Sequence, residues 1–197
     1  MKLISSSTSP YAQKVRVVAI EKGINLGIEN VLPLSEGSIE VIKNPLGKVP
    51  TLVLDDGDLL YDSAVICAYL DSLTEQPKLI PDSGPELWAT QRSHALGDGI
   101  MDAAFSTVME QKRSDAEPSQ FWLNRWEASI ERSVAEIAKQ AATSATRFDL
   151  GTISCACALN YLAFRLPDLS WKSEHPNLLE WFEEITNRES FNQTTLG

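Results

Sequence analysis

Residues 49–63, VPTLVLDDGDLLYDS, constrain the fold more than any other stretch. Two apolar segments flank Asp56-Gly57, and an Asp-Gly pair so placed marks a β-hairpin, because the glycine accepts the positive φ of a hairpin turn. The hairpin runs directly into AVICAYLDSL, where Ile66, Tyr69, Leu70 and Leu73 recur at i, i+3, i+4 and i+7 along one face of a helix. Ahead of it, KLIS reads as a strand, a helical pattern runs from Pro10 to Lys22 and stops at Gly23, and IENVL is extended. The order is βαβ followed by ββα.

Residues 74–86, TEQPKLIPDSGPE, carry three prolines and a glycine without periodicity and read as a domain boundary. The expected organisation is therefore an α/β domain over residues 1–76, a linker over 77–84 and an all-helical domain over 85–197. Trp88, Ala95, Leu96, Ile100, Met101, Ala104, Phe105 and Val108 fit one long helix, in which Gly97 and Gly99 each cost about 1 kcal/mol relative to alanine. Trp122, Trp126, Ile130 and Val134 step by four along the next, and their spacing predicts core positions. Two shorter helices are expected over 152–165 and 176–187.

The formal net charge of −10 sets the average surface against phosphate backbones and anionic lipid, so neither nucleic acid nor a membrane is an expected partner. No apolar run approaches the roughly 18 to 20 residues of a membrane span, and the apolar part of MKLISSS is too short for a secretory signal. A cytoplasmic location is expected. Cys67, Cys155 and Cys157 form no CxxC and read as small buried residues, while His94 and His175 show no partner at ligand spacing. No metal site is expected.

Three places could carry chemistry. Ser9 stands at the N-cap of the first helix with Pro10 at N1, where its oxygen can accept a backbone N–H while its proton points at a ligand. Val49-Pro50 opens the third strand, where a missing ladder donor is tolerated. Asp62-Ser63 follows the hairpin, with Ser63 expected to cap the next helix. Two helix N-termini in one small unit offer unpaired N–H donors and positive dipole ends, which suits an anionic ligand.

The order and spacing of SPYAQKVR, NPLGKVPTL, YDSAVICAYL, LGDGIMDAA and a terminal NRESF resemble the glutathione transferase superfamily over the whole chain, and most of all its bacterial YibF-type members. The resemblance implies a thioredoxin-like N-terminal domain that holds glutathione as co-substrate and an all-α helical-bundle C-terminal domain that helps to bind a small hydrophobic electrophile or peroxide. It implies that Val49, ahead of a cis-Pro50, pairs with the cysteinyl part of glutathione, that Asp62 and Ser63 hold the γ-glutamyl group, and that Lys48 meets the glycine carboxylate. Ser9 then faces the sulfur, Tyr11, Met101 and Phe105 line the second-substrate pocket, and the protein is a homodimer. One departure is that Thr152 at the expected start of the sixth helix is followed three positions on by Cys155, where the family's capping box has aspartate.

Taking a free cysteine as the stand-in, a thiol pKa near 8.5 must fall about 2 units to reach 6.5, which requires about 2.7 kcal/mol in favour of the thiolate. A hydrogen bond to a charged group supplies about 1.5 to 3 kcal/mol, and a helix N-terminus about 0.3 to 1 kcal/mol. The two together meet the requirement. Cysteine-type relatives carry a thiol at this junction and some a second one three residues on, whereas this chain has Ser9 and Ala12, so exchange through an enzyme thiol is not expected. The alternative is a non-catalytic glutathione- or protein-binding regulator on the same scaffold.

Overall fold

Strands β1 (Lys2–Ser5), β2 (Gly27–Asn30), β3 (Thr51–Val53) and β4 (Leu59–Leu60) form one mixed sheet in the order β2-β1-β3-β4. The computed structural model describes residues 1–113, 118–142 and 147–197, with the backbone of Thr143. Strand β1 is parallel to β2, with Leu3 beside Ile28, and antiparallel to β3, with Leu3 beside Leu52. The Leu54 N–H donates to the Asp58 carbonyl to close the β3–β4 loop, and Gly57 takes φ +94° there, so the hairpin stands at Asp56-Gly57 as its composition predicts.

Helix α1 (Pro10–Glu21) follows β1, α2 (Ser38–Ile42) precedes β3, and α3 (Ser63–Ser72) follows β4. Leu3, Ile4, Val15, Val18, Leu52, Ile66 and Leu70 have no solvent exposure and form the core of this unit, each side chain contributing about 1.5 to 3 kcal/mol of burial. The sequence pattern gave no sign of α2, a five-residue helix bounded by Gly37 and Lys43, both at positive φ. At the far end of α1, Lys22 Nζ donates to Asp71 Oδ1 at 2.9 Å and to the carbonyls of Thr74 and Pro77. Asp71 also accepts from the N–H groups of Leu79 and Ile80. This buried pair fastens the proline-rich segment that leaves α3.

Every described element of the second unit, Ser83–Asn187, is a helix: α4 (Gly84–Gln111), α5 (Gln120–Thr143), α6 (Leu150–Arg165), α7 (Trp171–Glu174) and α8 (Pro176–Thr186). Helices α4 and α6 approach closely at Gly97, where an added Cβ would lie 2.5 Å from Ser154 Oγ, whereas one at Gly99 would meet nothing within 4 Å. The buried stripe of α4 is Thr90, His94, Gly97, Ile100, Met101, Ala104 and Val108, while Trp88 and Phe105 of the expected stripe are exposed. Trp122 is likewise exposed and stacks on Trp126 at 5.7 Å, which corrects the core position its spacing suggests.

The N-cap of α6 is Asp149, whose carboxylate accepts from the Thr152 N–H at 3.0 Å, so Thr152 is the third helical residue and not the cap. Thr152 Oγ1 reaches back to the Arg147 carbonyl, and the capping partners are thus Asp149 and Thr152. His94 does have a carboxylate neighbour, contrary to the sequence reading: Nε2 lies 3.3 Å from Asp98 Oδ2, with Ser154 Oγ donating to Asp98 Oδ1. Among the described residues no group of three or more His, Cys, Asp or Glu side chains could hold a metal ion, and no helix is long and apolar enough to cross a membrane.

Residues Arg188–Gly197, with helix α9 (Glu189–Asn192), belong to the first unit together with Met1–Asp82. They lie along α1.

Candidate functional site

Strand register gathers three chain segments at one end of the sheet. Ile4 lies opposite Thr51, so the C-terminal end of β1 and the N-terminal end of β3 coincide. Leu60 lies opposite Leu52, which brings the C-terminal end of β4 to the same place. Ser9 follows β1, Val49-Pro50 leads into β3 and Asp62-Ser63 follows β4. Tyr11 joins them on the first turn of α1, whereas Met101 and Phe105 belong to α4 of the second unit.

Ser9 caps α1 as its neighbours predict. Its backbone is extended (φ −90°, ψ 120°), and its Oγ accepts from the Ala12 N–H at 3.2 Å. The cap uses a lone pair only, and among the described residues the Ser9 hydroxyl makes no other hydrogen bond. Its proton is therefore available for donation. Two neighbouring hydroxyls face each other, Oγ of buried Ser6 lying 3.4 Å from Thr8 Oγ1.

The Val49-Pro50 bond is cis, as the resemblance implies. Val49 is half-buried and outside any strand, and its N–H and carbonyl make no hydrogen bond among the described residues. Both are open to an extended peptide. The segment is held by a residue the sequence reading missed: buried Asn44 donates from Nδ2 to the Lys48 carbonyl at 2.6 Å and to Thr51 Oγ1 at 2.5 Å, and accepts from the Leu46 N–H at 2.8 Å. The Asn-Pro pair that opens NPLGKVPTL was the available signal, since asparagine before proline organises turns. Lys48 is exposed.

At α3 the cap is Asp62, whose carboxylate accepts from the Ala64 N–H at 3.0 Å, and Ser63 is the first helical residue. This corrects the expectation that Ser63 caps: of two adjacent polar candidates, the aspartate has the extended backbone that a cap requires. Ser63, a buried residue, is consequently released from capping, and its hydroxyl makes no hydrogen bond among the described residues. The Tyr61-Asp62 bond is also cis, a feature without a sequence signal.

The N-termini of α1 and α3 thus deliver orphan N–H donors, two hydroxyls and an extended backbone edge to one end of the sheet. Such a surface can bind an anionic peptide and donate a hydrogen bond to a sulfur held beside Ser9. The thiols offer no competing nucleophile: all three cysteines are buried, and burial first, then the charges of Asp149 and Asp98, push the Cys155 thiol up to about 12.

Sequence profiles of the glutathione S-transferase N-terminal domain and C-terminal domain match residues 8–73 and 120–184. The chain belongs to the glutathione S-transferase family. It is 36% identical to the uncharacterized GST-like protein YibF of Escherichia coli (strain K12) over 98% of each chain. A glutathione S-transferase structure from Methylobacillus flagellatus KT, with glutathione bound, superposes with a TM-score of 0.94 at 37% identity, covering 100% of this chain and 99% of that one. A glutathione transferase family member from Pseudomonas fluorescens Pf-5, with bound S-(propanoic acid)-glutathione, gives 0.88 at 37% identity over 100% of both.

Proposed function

We propose that this chain is a serine-type glutathione transferase in which Ser9 donates a hydrogen bond to the thiolate of bound glutathione. The observation that carries the reading is the capping geometry of Ser9, whose oxygen accepts from the Ala12 N–H and whose proton meets no acceptor among the described residues. Val49 pairs its open N–H and carbonyl with the cysteinyl unit of the tripeptide. Asp62 and Ser63, at the N-terminus of α3, take the γ-glutamyl amine and carboxylate, and Lys48 the glycine carboxylate. Glutathione bound in one relative of 37% identity and S-(propanoic acid)-glutathione bound in another support the ligand.

Sulfur attack on a small hydrophobic electrophile, or on a peroxide oxygen, then follows from a lowered thiol pKa and from the positions of the reactants. Tyr11, on the first turn of α1, is the residue of this unit assigned to the second substrate. Phe105, which is exposed, keeps that assignment in the second unit, whereas Met101 has no exposed surface and is withdrawn from it. We assign the protein to the cytoplasm on the sequence reading. We take it as a homodimer, with exposed Trp88, Phe121 and Trp122 as supporting apolar surface.

Calorimetric titration with glutathione, followed by conjugation to an aryl halide, tests the reading. Ser9→Ala is expected to keep glutathione affinity and to lower turnover at neutral pH by about ten- to a hundredfold, the equivalent of one hydrogen bond to a charged group. An unchanged rate removes Ser9 from the mechanism. Binding without turnover in the unaltered protein moves the chain to the regulatory alternative, and no binding ends both glutathione readings.

A further inference from the structure

The ten residues that return to the first unit run antiparallel to α1 and touch it at three levels. At the C-terminal end of α1, Arg188 forms a two-pronged pair with Glu21, Nε to Oε1 at 2.9 Å and Nη2 to Oε2 at 2.7 Å, and Ser190 Oγ donates to the same carboxylate. One helical stretch earlier, the Thr194 carbonyl accepts from Gln13 Nε2 at 3.0 Å and from Arg16 Nη2 at 3.2 Å. Beyond the N-terminus of α1, the Gly197 N–H donates to the Ser7 carbonyl at 3.3 Å. Ser190, Phe191 and Thr194 are all at most 3% exposed, so this is a packed element and not a loose tail.

The last two levels bracket Ser9. Ser7 is the second residue of the turn that the Ser9 N–H closes onto the Ser6 carbonyl at 3.1 Å. Gln13 sits one helical turn behind Ser9, its N–H bonded to the Ser9 carbonyl at 2.9 Å. Its side chain has no exposure, and its Oε1 accepts from no described residue, so the bond to the Thr194 carbonyl is what holds the amide. The segment before Ser9 and the turn after it are thus tied to one strap.

We propose that residues 194–197 and Gln13 position the Ser9 hydroxyl, so that the strap tunes the thiolate and not the affinity for the tripeptide. The inference rests on the serine reading above. Its reasoning is geometric: Val49, Asp62 and Ser63 lie on other segments and make none of these strap contacts. Loosening the strap therefore shifts the donor beside the sulfur while the groups assigned to the tripeptide stay in place, and small displacements of a positioned group are costly in rate.

The experiment deletes residues 195–197 and, separately, makes Gln13→Met, which keeps side-chain length and removes the donor. Both are assayed for kcat and for KM toward glutathione, and the bound thiol is titrated by its thiolate ultraviolet absorbance. Each change is expected to lower kcat at about pH 7 by about 1.5- to threefold, with KM unchanged and the bound thiol pKa raised by about 0.5 to 1 unit from about 6.5, the loss of thiolate fraction that Henderson–Hasselbalch arithmetic gives at that pH. In a Ser9→Ala background the deletion is expected to cost nothing further, because it acts through that hydroxyl. An equal loss in both backgrounds, or a raised KM with kcat intact, overturns the strap's role. If Ser9→Ala itself is silent the underlying reading has failed, whereas an effective Ser9→Ala beside a silent deletion and a silent Gln13→Met refutes the strap alone. Should the deleted chain not fold, Gln13→Met decides.

Discussion

Asn44 links the stability of the first unit to its proposed ligand, and Asn44→Ala separates the two contributions. The side chain makes three hydrogen bonds, two from Nδ2 and one to Oδ1. At about 1 kcal/mol net each, their loss destabilises the loop by about 3 kcal/mol. The Lys48 and Val49 backbones must then be ordered when glutathione binds, at about 1 to 2 kcal/mol per residue, so the dissociation constant should rise about thirty- to several-hundredfold. Asn44→Asp keeps an acceptor for the Leu46 N–H but loses both donors, and should fall between alanine and the unaltered protein. Denaturant unfolding reads the first quantity and calorimetric titration the second. Full affinity in Asn44→Ala, together with reduced stability, would refute the claim that this loop presents the peptide-binding edge.

Three further expectations concern the scaffold. Lys22→Met leaves the Asp71 carboxylate buried without its cation, a change that costs about 3 to 5 kcal/mol and should lower the melting temperature by about 6 to 20 °C; a shift under about 2 °C contradicts the clamp. Gly97→Ala should destabilise by about 1 to 3 kcal/mol through overpacking against Ser154, whereas Gly99→Ala should stabilise by about 1 kcal/mol, and equal effects in thermal unfolding would refute the assigned α4–α6 approach. Burial raises the Glu21 pKa, but the hydrogen bonds from Arg188 and Ser190 and the charge of Arg188 outweigh it, so the folded value lies below the ordinary carboxylate value. The pair therefore contributes fully above the unfolded pKa of about 4.3 and is lost as pH falls through the lower folded value. Amide protection of residues 188–197 should drop selectively in that acid range, and a Glu21→Gln variant should show the loss already at neutral pH.

What the sequence made legible was local. The Ser9-Pro10 junction, the Asp56-Gly57 turn, Ile66 and Leu70 on the buried face of α3 and the long helices each follow from capping, turn chemistry or a 3.6-residue period, and each is present, whereas Leu73 of the expected α3 face lies beyond the helix end and is exposed. Adjacent polar residues blurred the caps: Asp62 and Asp149, not Ser63 and Thr152, carry the cap geometry, a choice that backbone torsion makes and composition does not. Helix α2 is too short for a period to show. Trp122 and Trp126 have the spacing of a core stripe, but spacing places residues on one face without saying which face is covered. The Lys22–Asp71 clamp and the strap on α1 join residues far apart in the chain, for which no local pattern exists.

The site itself was legible as separate pieces, and strand register supplied what assembled them. With Ile4 opposite Thr51 and Leu60 opposite Leu52, Ser9, Val49 and Ser63 reach one end of the sheet without any sequence motif stating it.

A crystal structure of the protein with glutathione bound tests the central claim most directly. The account predicts the sulfur within hydrogen-bonding reach of Ser9 Oγ, with the cysteinyl backbone paired to Val49. A sulfur turned away from residue 9, or a tripeptide seated elsewhere on the chain, would contradict it.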